Sequence, residues 1–167
     1  MGTEKQEISV SVDVDASPEI VWGLVSDLAR MGEWSPECTG VKWAGAAPGP
    51  AGPSVGAVFK GKNKIGIRRW STKGTIVAAE PNRRIAWDIA AIGLPVARWS
   101  YTIDSGDSGD SGENGCRVTE SWEDKRGALI NAVGPLTTGV KDRAAHNEAG
   151  MRTTLERLKG AAEAQAR

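Results

Sequence analysis

The chain of 167 residues has very little of what metal and redox centres are made from, with two cysteines and a single histidine. Cys38 and Cys116 lie far apart and form no C-x-x-C, so neither a zinc nor a haem site has a ligand set to draw on. Both cysteines read as reduced thiols, and no cofactor or metal is expected. Net charge is also missing, because 21 Lys and Arg balance 21 Asp and Glu. No global field draws the protein to polyanions, so no nucleic-acid partner is expected. No apolar run follows Met1, and none approaches the roughly 20 residues of a membrane helix. The chain therefore reads as cytoplasmic, without integral membrane association. A Gly-rich phosphate loop and a nucleophile spaced to a base are absent too.

What is present begins at Val10–Pro36. Ile8, Val10, Val12 and Val14 alternate with polar residues, the pattern of a strand buried on one face. Ser17 then reads as an N-cap, Pro18 as the first helical residue and Glu19 as a complement to the helix dipole. Ile20, Val21, Leu24, Val25 and Leu28 form one apolar stripe, with Trp22 at its edge. A Trp34-Ser35-Pro36 corner follows. After a short strand over Thr39–Trp43, the Gly/Pro/Ala-rich stretch from Ala44 to Ser54 reads as a loop, a lid or simple slack.

Strands are predicted over Ala57–Lys62, Arg68–Ala79, Arg84–Ala90, Ala97–Ser105 and Cys116–Lys125. Glu80-Pro81-Asn82 separates two of them, and the low-complexity run from 105 to 115 reads as a mobile hairpin tip. Short links between strands imply an antiparallel meander. From about Leu136 to Ala164 the period becomes helical, with Leu136, Val140, Ala144, Asn147, Met151, Leu155 and Leu158 on one stripe. A curved sheet must bury one face, so the long helix lies across it. The length fits one domain over residues 1–167, as a monomer or homodimer.

These motifs, VDVDASPEIVWGLVSDLARMGEWSP, AAEPNRRIAWDI, ARWSYTID, VTESWED and DRAAHNEAGMRTTLERLK, resemble the START-like (SRPBCC) superfamily across nearly the whole chain. Within it, the chain resembles the bacterial polyketide cyclase/dehydrase and lipid-transport-like proteins. The resemblance implies an α+β helix-grip fold, with a curved antiparallel sheet of about six to seven strands around a long C-terminal helix. It also implies a cavity between sheet and helix that takes a small hydrophobic ligand. Fold does not specify function, since the same scaffold serves carriers, cyclases, receptors and chaperone cofactors.

Seven tryptophans stand against one Phe and one Tyr, a usage that suits either packing or a cavity wall. Trp70, Trp87, Trp99 and Trp122 are the candidate wall residues. Alternation places Ile85, Trp87 and Ile89 on one face, Trp99, Tyr101 and Ile103 on another, and Val118, Glu120 and Trp122 on a third. If the apolar pair on the last strand points inward, Glu120 points inward with it.

A carboxylate in an apolar cavity is a candidate acid or base, and Tyr101 is a candidate to polarise a carbonyl. The plainer reading pairs Glu120 with Arg143 or Arg98. Arg143, Asn147 and Met151 on the terminal helix are candidate ligand contacts, whereas His146 falls off the stripe and reads as solvated. The basic run Gly61–Lys64 with Arg68 and Arg69 reads as a solvated hairpin. The leading reading is a binding protein. The alternatives are a polyketide cyclase or dehydratase, and a stress- or chaperone-associated interaction domain exposing Trp22 or Trp34.

Overall fold

The computed structural model describes residues 6–106 and 114–167. β1 (Glu7–Val14) leads into α1 (Pro18–Val25), a 3₁₀ turn (Leu28–Arg30) and α2 (Met31–Trp34). Six strands follow: β2 (Cys38–Trp43), β3 (Val58–Ile65), β4 (Arg68–Glu80), β5 (Arg84–Ala91), β6 (Leu94–Ser105) and β7 (Cys116–Asp124). α3 (Ala128–Thr138) and α4 (Arg143–Ala166) end the chain. Among the described residues the strands form one antiparallel sheet in the order β1-β7-β6-β5-β4-β3-β2. This is the helix-grip fold, with α4 across the concave face. The expected tip at 105–115 falls mainly on residues 107–113, outside those described.

The N-terminal caps behave as the sequence dictates. Ser17 Oγ accepts from the Ile20 N–H at 3.4 Å, and Pro18 opens α1. Trp22 is buried, not marginal, and its indole N–H donates to the Ala51 carbonyl at 3.3 Å. That bond ties the 44–54 loop to α1.

One expected element divides in two. The continuous helix over 136–164 is interrupted, because Gly139 closes α3 with a left-handed φ of 78° and Asp142 caps α4 by accepting from the Ala145 N–H at 3.0 Å. Leu136 thus leaves the buried stripe and is 78 % exposed on α3. In α4 the buried face is Asn147, Met151, Thr154, Leu155, Leu158 and Ala162, the i, i+3, i+4 pattern of a helix lying on a sheet.

Register aligns the concave face in rows. Ile8, Trp122, Trp99, Trp87 and Ile76 lie opposite one another on five successive strands. Toward the β2 edge, Phe59 meets Trp43 and Trp87 edge-on, with ring centroids 5.6 and 6.4 Å away. Phe59 lies directly over Gly74, its cross-strand partner, where a Cβ would stand 2.0 Å from the ring. Only glycine leaves room for that ring. Gly74→Ala is therefore expected to cost about 1–3 kcal/mol, read as a lower urea midpoint with an unchanged slope. An unaltered midpoint would show that the ring moves freely.

Candidate functional site

Between the concave face, α2, α3 and α4 lies a cavity of about 460 Å³, within the ~300–1,000 Å³ typical of small-molecule sites. Aliphatic and aromatic side chains make most of its wall. All nine candidates from the sequence reach it: Glu120, Tyr101, Trp70, Trp87, Trp99, Trp122, Arg143, Asn147 and Met151. Strand alternation pointed Trp87, Trp99, Tyr101, Glu120 and Trp122 to this face, and the helical stripe did the same for Asn147 and Met151.

Glu120 and Tyr101 are opposite each other on β7 and β6, so their side chains rise from the same face as neighbours. The Tyr101 hydroxyl donates to Glu120 Oε1 at 2.9 Å. Glu120 is 4 % exposed, and its buried Oε2 has no hydrogen-bond partner. Burial disfavours the carboxylate charge and raises the Glu120 pKa to about 8, although the Tyr101 hydrogen bond pulls the other way. Burial, and then the neighbouring Glu120, drive the Tyr101 hydroxyl well above its ordinary value of 10. At neutral pH the pair is a neutral phenol donating to a neutral carboxylic acid whose second oxygen is buried and unpartnered.

This geometry corrects several expectations. Glu120 does not pair with an arginine, because Arg98 holds Asp88 through two bonds of 2.7 and 2.9 Å. Arg143 instead clamps Glu37 at 2.8 and 3.2 Å, with its guanidinium 5.8 Å from the Trp70 ring centroid. The Tyr101 proton is directed at Glu120 and is not free to polarise a carbonyl. His146 is not a solvated bystander, since its Nε2 lies 3.1 Å from Glu37 Oε2 and its ring lines the cavity. Glu37, in the link after the Trp34–Pro36 corner, folds across the start of α4 and brings both side chains to the mouth.

Asn147 is buried on the cavity wall, and among the described residues its amide has no hydrogen-bond partner. Trp22 and Trp34 are both buried, so neither provides the exposed surface of an interaction domain. Sequence reasoning missed α3, whose Ile130 and Val133 line the cavity. Its signal was legible in Leu129, Ile130, Val133 and Leu136 before Gly139. Among the described residues no cluster could hold a metal ion, and no helix is long and apolar enough to cross a membrane.

The buried acid makes stability depend on pH. Unfolded Glu120 ionises near 4.5 but folded Glu120 near 8, so between these values the folded state holds the extra proton. This contribution is complete below about pH 4.5 and is lost as pH rises through about 8. Glu120→Gln should match the parent near pH 5 and exceed it at pH 9 by on the order of a few kcal/mol, measured by urea unfolding. Parallel pH profiles for the two proteins would contradict the buried neutral acid.

Comparison with known proteins agrees with this architecture. Residues 5–163 match the family model described as "Polyketide cyclase / dehydrase and lipid transport". No curated protein matches the chain in sequence. Among solved structures, the di-domain ARO/CYC StfQ from the steffimycin biosynthetic pathway is similar with a TM-score of 0.70 at 12% identity, over 96% of this chain and 51% of that one. BexL, the di-domain ARO/CYC from the BE-7585A pathway, gives 0.65 at 15% identity over 97% and 50%. The chain thus spans about half the length of these two proteins. The Polyketide_cyc-like protein Cgl2372 from Corynebacterium glutamicum is 28% identical, with a TM-score of 0.53 over 97% of this chain and 92% of that one.

Proposed function

This chain belongs to the polyketide cyclase/dehydrase and lipid-transport family, and from that premise we propose that it binds a small hydrophobic ligand of lipid or polyketide type. The observation that carries the reading is the unpartnered Glu120 Oε2 in an otherwise largely apolar cavity. Apolar burial at about 25 cal/mol per Å² supplies the affinity. Glu120 and the Asn147 amide then fix orientation by meeting a ligand carbonyl or hydroxyl, because a buried polar group without a partner disfavours the empty site. Two unpaired thiols, Cys38 and Cys116, suit a cytoplasmic setting.

A second reading, cyclase or dehydratase, rests on the acidity of Glu120. An acid with a pKa of about 8 is largely protonated at neutral pH and close enough to it to give up and recover a proton. In an aldol ring closure the Oε2 proton passes to the electrophilic carbonyl oxygen as the carbon–carbon bond forms. The resulting carboxylate recovers a proton from the enol oxygen as that becomes a carbonyl. Tyr101 holds Glu120 Oε1 throughout.

Native mass spectrometry of the purified protein should reveal a co-purifying hydrophobic ligand, and titration calorimetry with that compound should give a binding isotherm. For a carbonyl-bearing ligand, Glu120→Leu is expected to weaken binding about tenfold, the effect of one hydrogen bond of about 1.4 kcal/mol. A hydrocarbon analogue should bind the two proteins alike. Conversion of a linear poly-β-ketone to a cyclised product by the parent, and its loss in Glu120→Gln, would select the enzyme. Binding that is indifferent to Glu120 and to cavity-filling substitutions such as Met151→Trp would refute both readings.

A further inference from the structure

The net neutrality of the chain conceals a strongly uneven charge distribution. Between Glu37 and Glu80 there are seven basic residues and no acidic one. The register concentrates this charge further. Lys42 lies opposite Lys60, Lys60 opposite Lys73, and Lys64 opposite Arg69, all exposed. Like charges directly opposite across strands are destabilising, and among the described residues none of these side chains is ion-paired. Elsewhere the structure pairs its charges readily, as in Asp88 with Arg98 and Lys125. A fold that assembles opposed lysines and arginines without counter-charge presents an anion-binding face.

The apolar side chains beside this charge are aliphatic and exposed. Ile67, at the β3–β4 tip between Lys64 and Arg68, is 94 % exposed. Gly139, the C-cap of α3, lies against Arg68, with its Cβ position 2.8 Å from the Arg68 Nη1. The α3 terminus therefore sits next to that hairpin, and α3 adds Leu136 (78 %) and Leu129 (55 %). Ile92, at the β5–β6 tip, is 79 % exposed and lines the cavity, as does Val133.

We propose that the β3–β4 hairpin tip and the outer side of α3 dock this protein on an anionic lipid bilayer, with the cavity rim facing the membrane. Aliphatic side chains enter the interface while Lys62, Lys64, Arg68 and Arg69 meet the headgroups. Charge complementarity and aliphatic tips favour a bilayer over single-stranded nucleic acid, for which an exposed stacking aromatic is required. Because Ile92 and Val133 belong both to the rim and to the exposed patch, an apolar ligand passes between bilayer and cavity with little exposure to water. The inference goes beyond the ligand-binding reading and stands whether or not Glu120 touches the ligand.

Flotation of the full chain with vesicles tests it. With phosphatidylcholine containing phosphatidylserine the protein should float, and with phosphatidylcholine alone it should not. Added salt should release it. Arg69→Glu should reduce vesicle binding at least tenfold yet raise the melting temperature at low salt, because it converts the contact with Lys64 into an opposite-charge pair. Ile67→Ser should weaken binding without altering the salt dependence. Absence of flotation with both vesicles, equal flotation with both, or retention by duplex DNA or an acidic protein in place of anionic vesicles would each overturn the proposal.

Discussion

Everything in this structure depends on burying the concave face of one curved sheet under a helix that grips it mainly at one edge. α4 packs chiefly on β1, with lesser contact to β7. Polar ties reinforce the apolar stripe there: Lys159 donates to the Asp13 carbonyl at 2.6 Å, and the Asp15 N–H donates to Glu163 at 3.0 Å. Over β3 to β5 the helix stands clear of the sheet, and α3 and the α2 turn roof the gap. The cavity is the space that this one-sided contact leaves unfilled.

That space determines the behaviour of Glu120. A carboxyl in the second row of the concave face is removed from water, and among the described residues its one hydrogen-bond partner is the Tyr101 hydroxyl. One hydrogen bond to a neutral donor is weak payment for lost hydration, so the acid stays protonated and its Oε2 remains unmatched. An arginine in the same place would have made an inert buried ion pair. The arginines lie elsewhere, Arg98 with Asp88 on the outer face of the sheet and Arg143 with Glu37 on the cavity wall, so Glu120 has no cationic partner. The arrangement suits a site that receives an apolar molecule with a few oxygens.

The outer surface follows a different logic. The concave face carries the largely apolar cavity wall, whereas on the outer face of β2 to β4 Lys42, Lys60 and Lys73, and Lys64 and Arg69, oppose one another with a single charge. The two faces of the same strands therefore serve separate purposes, one enclosing a ligand and the other meeting a surface. The period of two in a strand makes this possible, because substitutions on one face leave the other untouched.

Much of the fold could be read directly from local chemistry. Ser17-Pro18 marked the start of α1, alternation marked every strand to within a few residues, and the Asn147–Leu158 stripe marked the inner side of α4. The same alternation set Glu120 beside Val118 and Trp122 on the inward face. It could not name the partner of Glu120, because Tyr101 lies 19 residues away and meets it only through the β6–β7 register. Nor could it bring Glu37 to His146, a contact across 109 residues made by the Trp34–Pro36 corner folding over α4. The helix break at Gly139 and the cap at Asp142 were written in the chain but were outweighed by a continuous apolar period. Residue-by-residue patterns determine which face a side chain takes, since periodicity is local. Which side chains meet, and what charge or void results, was decided by tertiary structure, because contact is a property of register and packing between distant segments.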